Sequence, residues 1–257
     1  MIEVNHDKLE QQMQQVARLL AGAEQVAALT GAGISVDSGI PDFRGAQGLW
    51  TKYDPMEYAS IQAFRRDPAK VWRMLLELDE LVRGAEPNPA HQALARLEEL
   101  GRLGMVITQN IDGLHQAAGS RRVVELHGSG RRLICQNCGR SPRRAEVFFD
   151  PLPPLCACGG VLKPDVVFFG EMLPMAAVEQ ALEAARTCQV MLVVGTSALV
   201  APASQLPLLA KQSGATVVEV NLEPTALTGE VADYSLMGGA SQVLPRLAEL
   251  VAGLLEG

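Results

Sequence analysis

Val26-Ala27-Ala28-Leu29-Thr30-Gly31-Ala32-Gly33-Ile34-Ser35 is a short apolar run closed by two glycines one residue apart. Four apolar residues ahead of a glycine turn fit a fully buried strand. Glycines at such a strand end let backbone N–H groups approach a pyrophosphate, where the next helical element presents its positive end. A tight glycine bend with no ligand fits the ten residues equally well. The next glycine is Gly39, so the spacing is not G-x-G-x-x-G, which disfavours a hydride-transferring dehydrogenase.

Working outward, four further apolar runs occur at Met105-Val106-Ile107, Val123-Val124, Val190 to Val194 and Val217-Val218-Glu219-Val220. Helical periodicity predicts helices over 67–82, 89–100, 175–188, 204–212 and 241–255 between and after them. An opening helix is predicted over 5–23 from Leu9, Met13, Val16, Leu19 and Leu20, with Asp7 and Glu10 as a capping pair. Strands alternating with helices predict an α/β fold, a doubly wound parallel sheet of Rossmann-like type. Two stretches break the rhythm. Residues 128–163, rich in Arg, Cys, Pro and Gly, are predicted to be an inserted small module, leaving 1–127 and 164–257 as one discontinuous domain. Residues 34–59 are long and irregular for a connector and read as a functional loop.

The chain has 257 residues, 48% of them apolar and 20% charged, the composition of an ordinary globular protein. Its net charge of −7 argues against general affinity for nucleic-acid phosphates, and Arg131, Arg132, Arg140, Arg143 and Arg144 are read as a solvated face. No run approaches the roughly 18 apolar residues of a membrane span, and the first twenty residues lack the features of a signal peptide. A cytoplasmic protein without membrane contact is expected. Nothing in the sequence signals an oligomeric state.

Four of the five cysteines form two close pairs, Cys135-x-x-Cys138 and Cys156-x-Cys158, seventeen residues apart. Four thiolates so arranged fit one closed, tetrahedral, structural Zn²⁺ site, with Gly139 and Gly159-Gly160 turning the chain beneath the sulfurs. Two redox pairs are the disfavoured alternative. Cys188, inside an apolar stretch, is read as a small core residue.

Beyond the glycine turn lies Val36-Asp37-Ser38-Gly39-Ile40-Pro41-Asp42-Phe43-Arg44-Gly45. Further along come Thr108-Gln109-Asn110-Ile111-Asp112, Glu125-Leu126-His127-Gly128, Lys163-Pro164-Asp165-Val166-Val167-Phe168-Phe169-Gly170-Glu171, Gly195-Thr196-Ser197 and Val220-Asn221. In this order the segments resemble the sirtuin family, the NAD-dependent protein deacylases, from about Gln25 to Leu247, in a compact prokaryotic form. The resemblance implies that NAD is a consumed co-substrate. The acyl-lysine carbonyl oxygen attacks the ribose C1′, nicotinamide departs, and water then releases free lysine and O-acyl-ADP-ribose.

The resemblance also distributes roles. Asn110, Ile111 and Asp112 would grip the nicotinamide carboxamide, with His127 and Asn110 as the catalytic pair. Gly31, Ala32, Gly33, Ile40 and Asp42 would line the cofactor, Phe43 would shield the reacting ribose, and Arg44 would contact phosphate. Gln109 would meet the ribose hydroxyls, and Gly195, Thr196, Ser197, Asn221 and Ala240 the adenosine half. Val167, Phe168, Phe169, Gly170, Glu171, Leu199 and Val200 would bind the acyl-lysine peptide by strand addition. At Val36, where a hydrogen-bonding residue is often found, only backbone or apolar contact is available.

Of four histidines, only His127 stands at the carboxyl end of a predicted strand, where an imidazole can take a hydroxyl proton near neutral pH. His115 is read as packing, and His6 and His91 lack such a setting. Members that remove acidic acyl groups carry Tyr-x-x-Arg where Leu75 and Leu78 stand here, so apolar acyl groups are expected. Mono-ADP-ribosyl transfer and a non-enzymatic NAD- or zinc-binding docking module are the alternatives. His127, Asn110 and Asp112 together favour catalysis.

Overall fold

In the computed structural model, residues 6–42 and 48–257 are described. Among the described residues eight strands follow in chain order: β1 Val26–Thr30, β2 Met105–Thr108, β3 Val123–Glu125, β4 Gly128–Cys135, β5 Leu162–Val166, β6 Val190–Val194, β7 Thr216–Asn221 and β8 Tyr234–Met237. The helices are α1 His6–Gly22, α2 Leu49–Lys52, α3 Pro55–Tyr58, α4 Ile61–Arg66, α5 Pro68–Gly84, α6 Pro89–Glu99, α7 Leu114–Ala117, α8 Met175–Thr187, α9 Leu206–Gln212 and α10 Ala240–Glu256.

Six strands form one sheet in the order β3-β2-β1-β6-β7-β8, every neighbouring pair parallel. All residues of β1 and β6 are buried, because the sheet is covered on both faces and each face must be apolar. Successive side chains point to opposite sides. Val26, Ala28, Val190, Leu192 and Val194 thus enter a core built with α1, α6 and α10. Ala27, Leu29, Met191 and Val193 enter a second core with α8 and α9. The fold is the doubly wound α/β sheet expected from the alternating pattern.

Three details differ from the sequence reading. β8 was not anticipated, because only Leu236 of its four residues is buried and an edge strand needs little apolar pattern. α1 already contains His6, so Asp7 lies within its first turn and Glu10 pairs with Arg246 of α10 at 2.7 Å instead of capping. The expected module boundary after residue 163 falls inside β5, which pairs antiparallel with β4 and runs to Val166.

The module also shares its core with the preceding helices. Ile61, Phe64, Val71 and Trp72 pack with Leu133, Cys135, Leu162 and Phe168. Trp72 Nε1 donates to the Leu162 carbonyl at 2.8 Å, and Arg144 pairs with Asp79 at 2.6 Å. α4, α5 and the ribbon are therefore one small body beside the sheet. Most of the basic cluster is neutralised locally, by Arg144–Asp79, Arg132–Asp165 and Arg143–Glu146, while Arg131 donates to the Gly113 carbonyl at 3.0 Å.

The strand order reverses between β1 and β6, and this is where a doubly wound sheet opens a crevice at its carboxyl edge. Gly31 N–H donates to Val194 O at 3.0 Å and Gly33 N–H to Gly195 O at 2.8 Å. These two glycine N–H groups are thus bonded within the protein, and the close backbone approach already explains the glycines. A Cβ on Gly195, at φ +58°, would lie 2.4 Å from Ile34 N. Gly195→Ala combines a left-handed backbone with a clash that nothing flexible can relieve. It should destabilise by about 2–5 kcal/mol, measured as a lower urea midpoint.

Candidate active site

The carboxyl ends of β1 and β2 carry a buried chain of hydrogen bonds. Thr30 Oγ1 donates to Thr108 Oγ1 at 2.9 Å, which also accepts from Asn110 N at 3.0 Å. Asn110 Nδ2 donates to Gly31 O and to Ser35 Oγ, both at 3.1 Å. Ser35 Oγ donates to Asp112 Oδ2 at 2.8 Å, while Asp112 Oδ1 accepts from Leu114 N at 2.9 Å, holding the first turn of α7. Asn110 and Asp112, expected together from sequence, are joined through Ser35.

Two histidines without an expected role complete this network. Asn88 caps α6 and donates its N–H to His91 Nδ1. The proton of a neutral His91 is then on Nε2, 3.4 Å from Ser35 Oγ. Thr30 spends its hydroxyl proton on Thr108, so His115 Nε2, 2.9 Å from Thr30 Oγ1, is a donor too. The two rings meet edge-on with centroids 4.9 Å apart. Burial pushes His91 down to about 4, against the pull of Asp112, and His115 down to about 3, so both are neutral at pH 7. His91 was set aside in the sequence as lacking the setting of a base, although Asn88-Pro89-Ala90-His91 has capping-box spacing.

His127 follows β3 and is half-buried. Its Nδ1 lies 2.9 Å from the Gln109 carbonyl. A carbonyl only accepts, so Nδ1 carries the proton and Nε2 keeps the lone pair. Burial lowers its pKa below the ordinary imidazole value, partly opposed by the Gln109 bond. Gln109 Nε2 donates to Thr196 Oγ1 at 2.9 Å, and Asn221 Nδ2 donates to the Thr196 carbonyl at 3.2 Å. Gln109, Thr196 and Asn221 thereby link the ends of β2, β6 and β7. Ser197 is exposed beside them, and Ala240 is half-buried at the start of α10. Ile111 packs against the core of the small body.

In the loop 34–59, Ala32 opens the 3-10 turn Ala32–Ser38 and Ile40 N donates to Ser35 O at 3.3 Å. Val36 is exposed. Asp42 O accepts from Leu49 N at 2.8 Å, at the start of α2. Phe43 and Arg44 lie outside the described residues.

Of the residues expected to meet the peptide, Val167 donates its N–H to the His127 carbonyl at 2.9 Å. Phe169 pairs with the 59–61 segment: its N–H donates to Ala59 O at 2.9 Å and its carbonyl accepts from Ile61 N at 3.0 Å. Phe168 is buried against Phe64, centroids 5.7 Å apart, while Phe169 is 39% exposed with its ring 6.3 Å from Trp50. Glu171 Oε2 accepts from Phe168 N at 2.8 Å and Lys163 Nζ at 2.9 Å. Leu199 is 65% exposed, and Val200 is half-buried.

The Sγ atoms of Cys135, Cys138, Cys156 and Cys158 all lie within 4.8 Å of one another, with the 135–158 and 138–156 pairs at 3.5 and 3.9 Å. A tetrahedron with Zn–S bonds of about 2.3 Å has edges of about 3.8 Å. The four thiols are therefore spaced to hold one zinc ion. The Arg140 backbone N–H favours the Cys138 thiolate, whose pKa falls to about 6. Cys188 is buried in the second core, as read, and burial pushes its thiol up to about 11.

The Sir2 family model matches residues 31–202. The chain belongs to the Sir2 family. It is 52% identical to NAD-dependent protein deacylase 2 of Pyrobaculum aerophilum, over 92% of this chain and 94% of that one. A solved Sir2 homologue in complex with ADP-ribose superposes with a TM-score of 0.91 at 46% identity, covering 94% and 97% of the two chains. Another, Sir2Af2 bound to a myristoylated histone peptide, superposes at 0.80 with 40% identity over 96% and 99%.

Cys135→Ala removes one of four zinc ligands and a buried part of the shared core. Zinc content by atomic absorption should fall well below one ion per chain and Tm should drop by several degrees, about 1–3 kcal/mol for the lost packing alone.

Proposed function

We propose that this Sir2 family chain is an NAD-dependent protein-lysine deacylase that moves the acyl group of lysine to ADP-ribose and releases nicotinamide. The observation that carries this reading is the His127 tautomer, fixed through Nδ1 by the Gln109 carbonyl next to the Asn110–Ser35–Asp112 network. NAD supplies the electrophilic ribose carbon and the leaving group.

Asn110, Ile111 and Asp112 would hold the carboxamide, for which an amide and a carboxylate offer both donor and acceptor. Gln109 and His127 would meet the ribose hydroxyls, with His127 Nε2 taking the proton of one of them. Gly31, Ala32, Gly33, Gly195, Thr196, Ser197, Asn221 and Ala240 would receive the phosphates and adenosine at the switch point. Ile40, Asp42, Phe43 and Arg44 would cover the cofactor and keep water from the cation-like ribose. The acyl-lysine peptide would pair between Val167 to Glu171 and Leu199-Val200.

Apolar acyl groups should be preferred. Leu75 lies against the small-body core, and Leu78 stands one turn on in α5. Neither can pair with a buried carboxylate, which costs several kcal/mol unless it is matched. The complex of Sir2Af2 with a myristoylated peptide supports this preference. Among the described residues no helix is long and apolar enough to cross a membrane. The cytoplasm is the compartment we propose, since free zinc-binding thiols persist in a reducing medium. Local pairing of the arginine cluster argues against nucleic-acid phosphates as partners, and acyl-lysine proteins are the partners we propose.

His127→Ala should lower kcat/KM by at least about a hundredfold, with a stability change near the ~1 kcal/mol of one hydrogen bond. The base works when neutral and burial lowers its pKa. Activity should therefore be held at pH 7 and fall on acidification only below the usual imidazole value of about 6.5; a kcat/KM–pH profile with its acid limb above pH 7 would contradict the assignment.

Acetyl-, myristoyl- and succinyl-lysine peptides with NAD, followed by mass spectrometry, should yield O-acyl-ADP-ribose from the first two and little from the third. ADP-ribose retained covalently on protein, without deacylated peptide, would favour mono-ADP-ribosyl transfer.

A further inference from the structure

Lys163 is a buried cation that the reaction does not use. Its side chain is only 4% exposed, on strand β5 of the ribbon, where an ammonium is costly to desolvate. Its donors are spent on one short stretch of chain. Nζ donates to the Val166 carbonyl at 2.6 Å and to Glu171 Oε2 at 2.9 Å, and lies 4.5 Å from the centroid of the Phe168 ring. The same Glu171 oxygen accepts from Phe168 N at 2.8 Å, and Glu171 N returns to Phe168 O at 2.9 Å. Residues 163–171 are thus folded around one ammonium–carboxylate pair.

The loop that this pair closes is the one assigned above to the peptide. Phe168 is drawn inward, and Gly170 takes φ +86° to reverse the chain. Val167 and Phe169 flank Phe168 and take their backbone partners from His127 and from residues 59–61. The Glu171 carboxylate is directed at Lys163 and the Phe168 N–H, so its service to a peptide runs through the main chain it holds in place. Breaking the pair would loosen the turn from Phe168 to Glu171 between these anchors, and its ordering entropy would then be charged against peptide binding.

We propose that Lys163 is a positioning residue for the acyl-lysine peptide: its buried pair with Glu171 holds residues 167–171 as a preformed edge to which the peptide adds as a strand. The proposal rests on the deacylase reading, since that reading places the peptide there. It concerns peptide affinity and leaves the nucleotide side, at the ends of β1, β2, β6 and β7, untouched.

The test compares Lys163→Met, Lys163→Arg and the double variant Lys163→Met/Glu171→Gln with the wild type. Five quantities are measured: KM and kcat with an acetyl-lysine peptide, peptide binding by fluorescence polarisation, ADP-ribose binding by calorimetry, and Tm. Lys163→Met should raise the peptide KM and Kd by about ten- to a hundredfold, the equivalent of one charge-assisted hydrogen bond, with the ADP-ribose Kd unchanged. Lys163→Arg, which keeps the charge and offers several N–H donors, should recover most of the loss. The double variant leaves no unpaired buried charge, so it should recover Tm but keep the weak peptide binding, and it carries the test if the single variant does not fold. Wild-type peptide affinity in the double variant would overturn the proposal, as would peptide and ADP-ribose affinities falling in parallel. A wild-type protein inert toward every acyl peptide would instead overturn the deacylase reading, and this proposal with it.

Discussion

The contact between the turn after β1 and the turn after β6 is the constraint on which the rest of the site depends. Gly33 N–H reaches the Gly195 carbonyl at 2.8 Å, and Gly31 and Gly33 leave no room for a Cβ against Gly195 and Thr196. Two backbones approach this closely only if side chains are missing from both. The approach pins the 3-10 turn Ala32–Ser38 above the ends of the central strands, and so brings Ser35 between Asn110 and Asp112. Widening the gap by one methyl group would shift Ser35, and the two residues it connects would lose their common partner.

What hangs from this contact is a polar network kept at low charge. Asp112 is the acidic member, and the neighbouring imidazoles are held neutral by burial, at about 4 for His91 and about 3 for His115. Neutral rings have one donor each, so every bond in the series from His115 to Thr108 and from His91 to Asp112 has a defined direction. A protonated His91 would pull on Asp112 as a counter-ion and compete with Ser35 for it. His127 is set apart from this arrangement. It is less buried, its Nδ1 is tied to a backbone carbonyl, and its remaining nitrogen is therefore the basic one. The site separates groups that hold geometry from the one proposed to exchange a proton.

Much of this was legible in the sequence, and the reasons differ by element. β1 and β6 announce themselves because strands covered on both faces must be apolar at every position. The edge strand β8 did not, because Tyr234, Ser235 and Met237 are only partly buried. The zinc cysteines were readable because ligand spacing is local in sequence. His91 was not, since its role depends on Ser35, which is 56 residues away and brought near only by the packing of α6. The glycines were read for the phosphate they could admit, whereas the backbone they admit, that of Gly195, lies far along the chain and carries no local mark.

The association of the ribbon with α4 and α5 was the least legible feature, and it changes what the zinc site can be said to stabilise. An inserted ribbon folded on its own two strands would affect the rest of the chain only through its ends. Here Cys135 and Leu162 are buried with Trp72 and Val71 of α5, and Leu75 and Leu76 pack on the same cluster. Trp72 also bonds the ribbon backbone at Leu162, the residue before Lys163. Two of the zinc-site cysteines, Cys135 and Cys156, and Leu75 of α5 therefore draw on one small core, beside the cation proposed to shape the peptide edge. In a body of this size, too small to bury much apolar surface by itself, four sulfurs tied to one ion would add order to that packing.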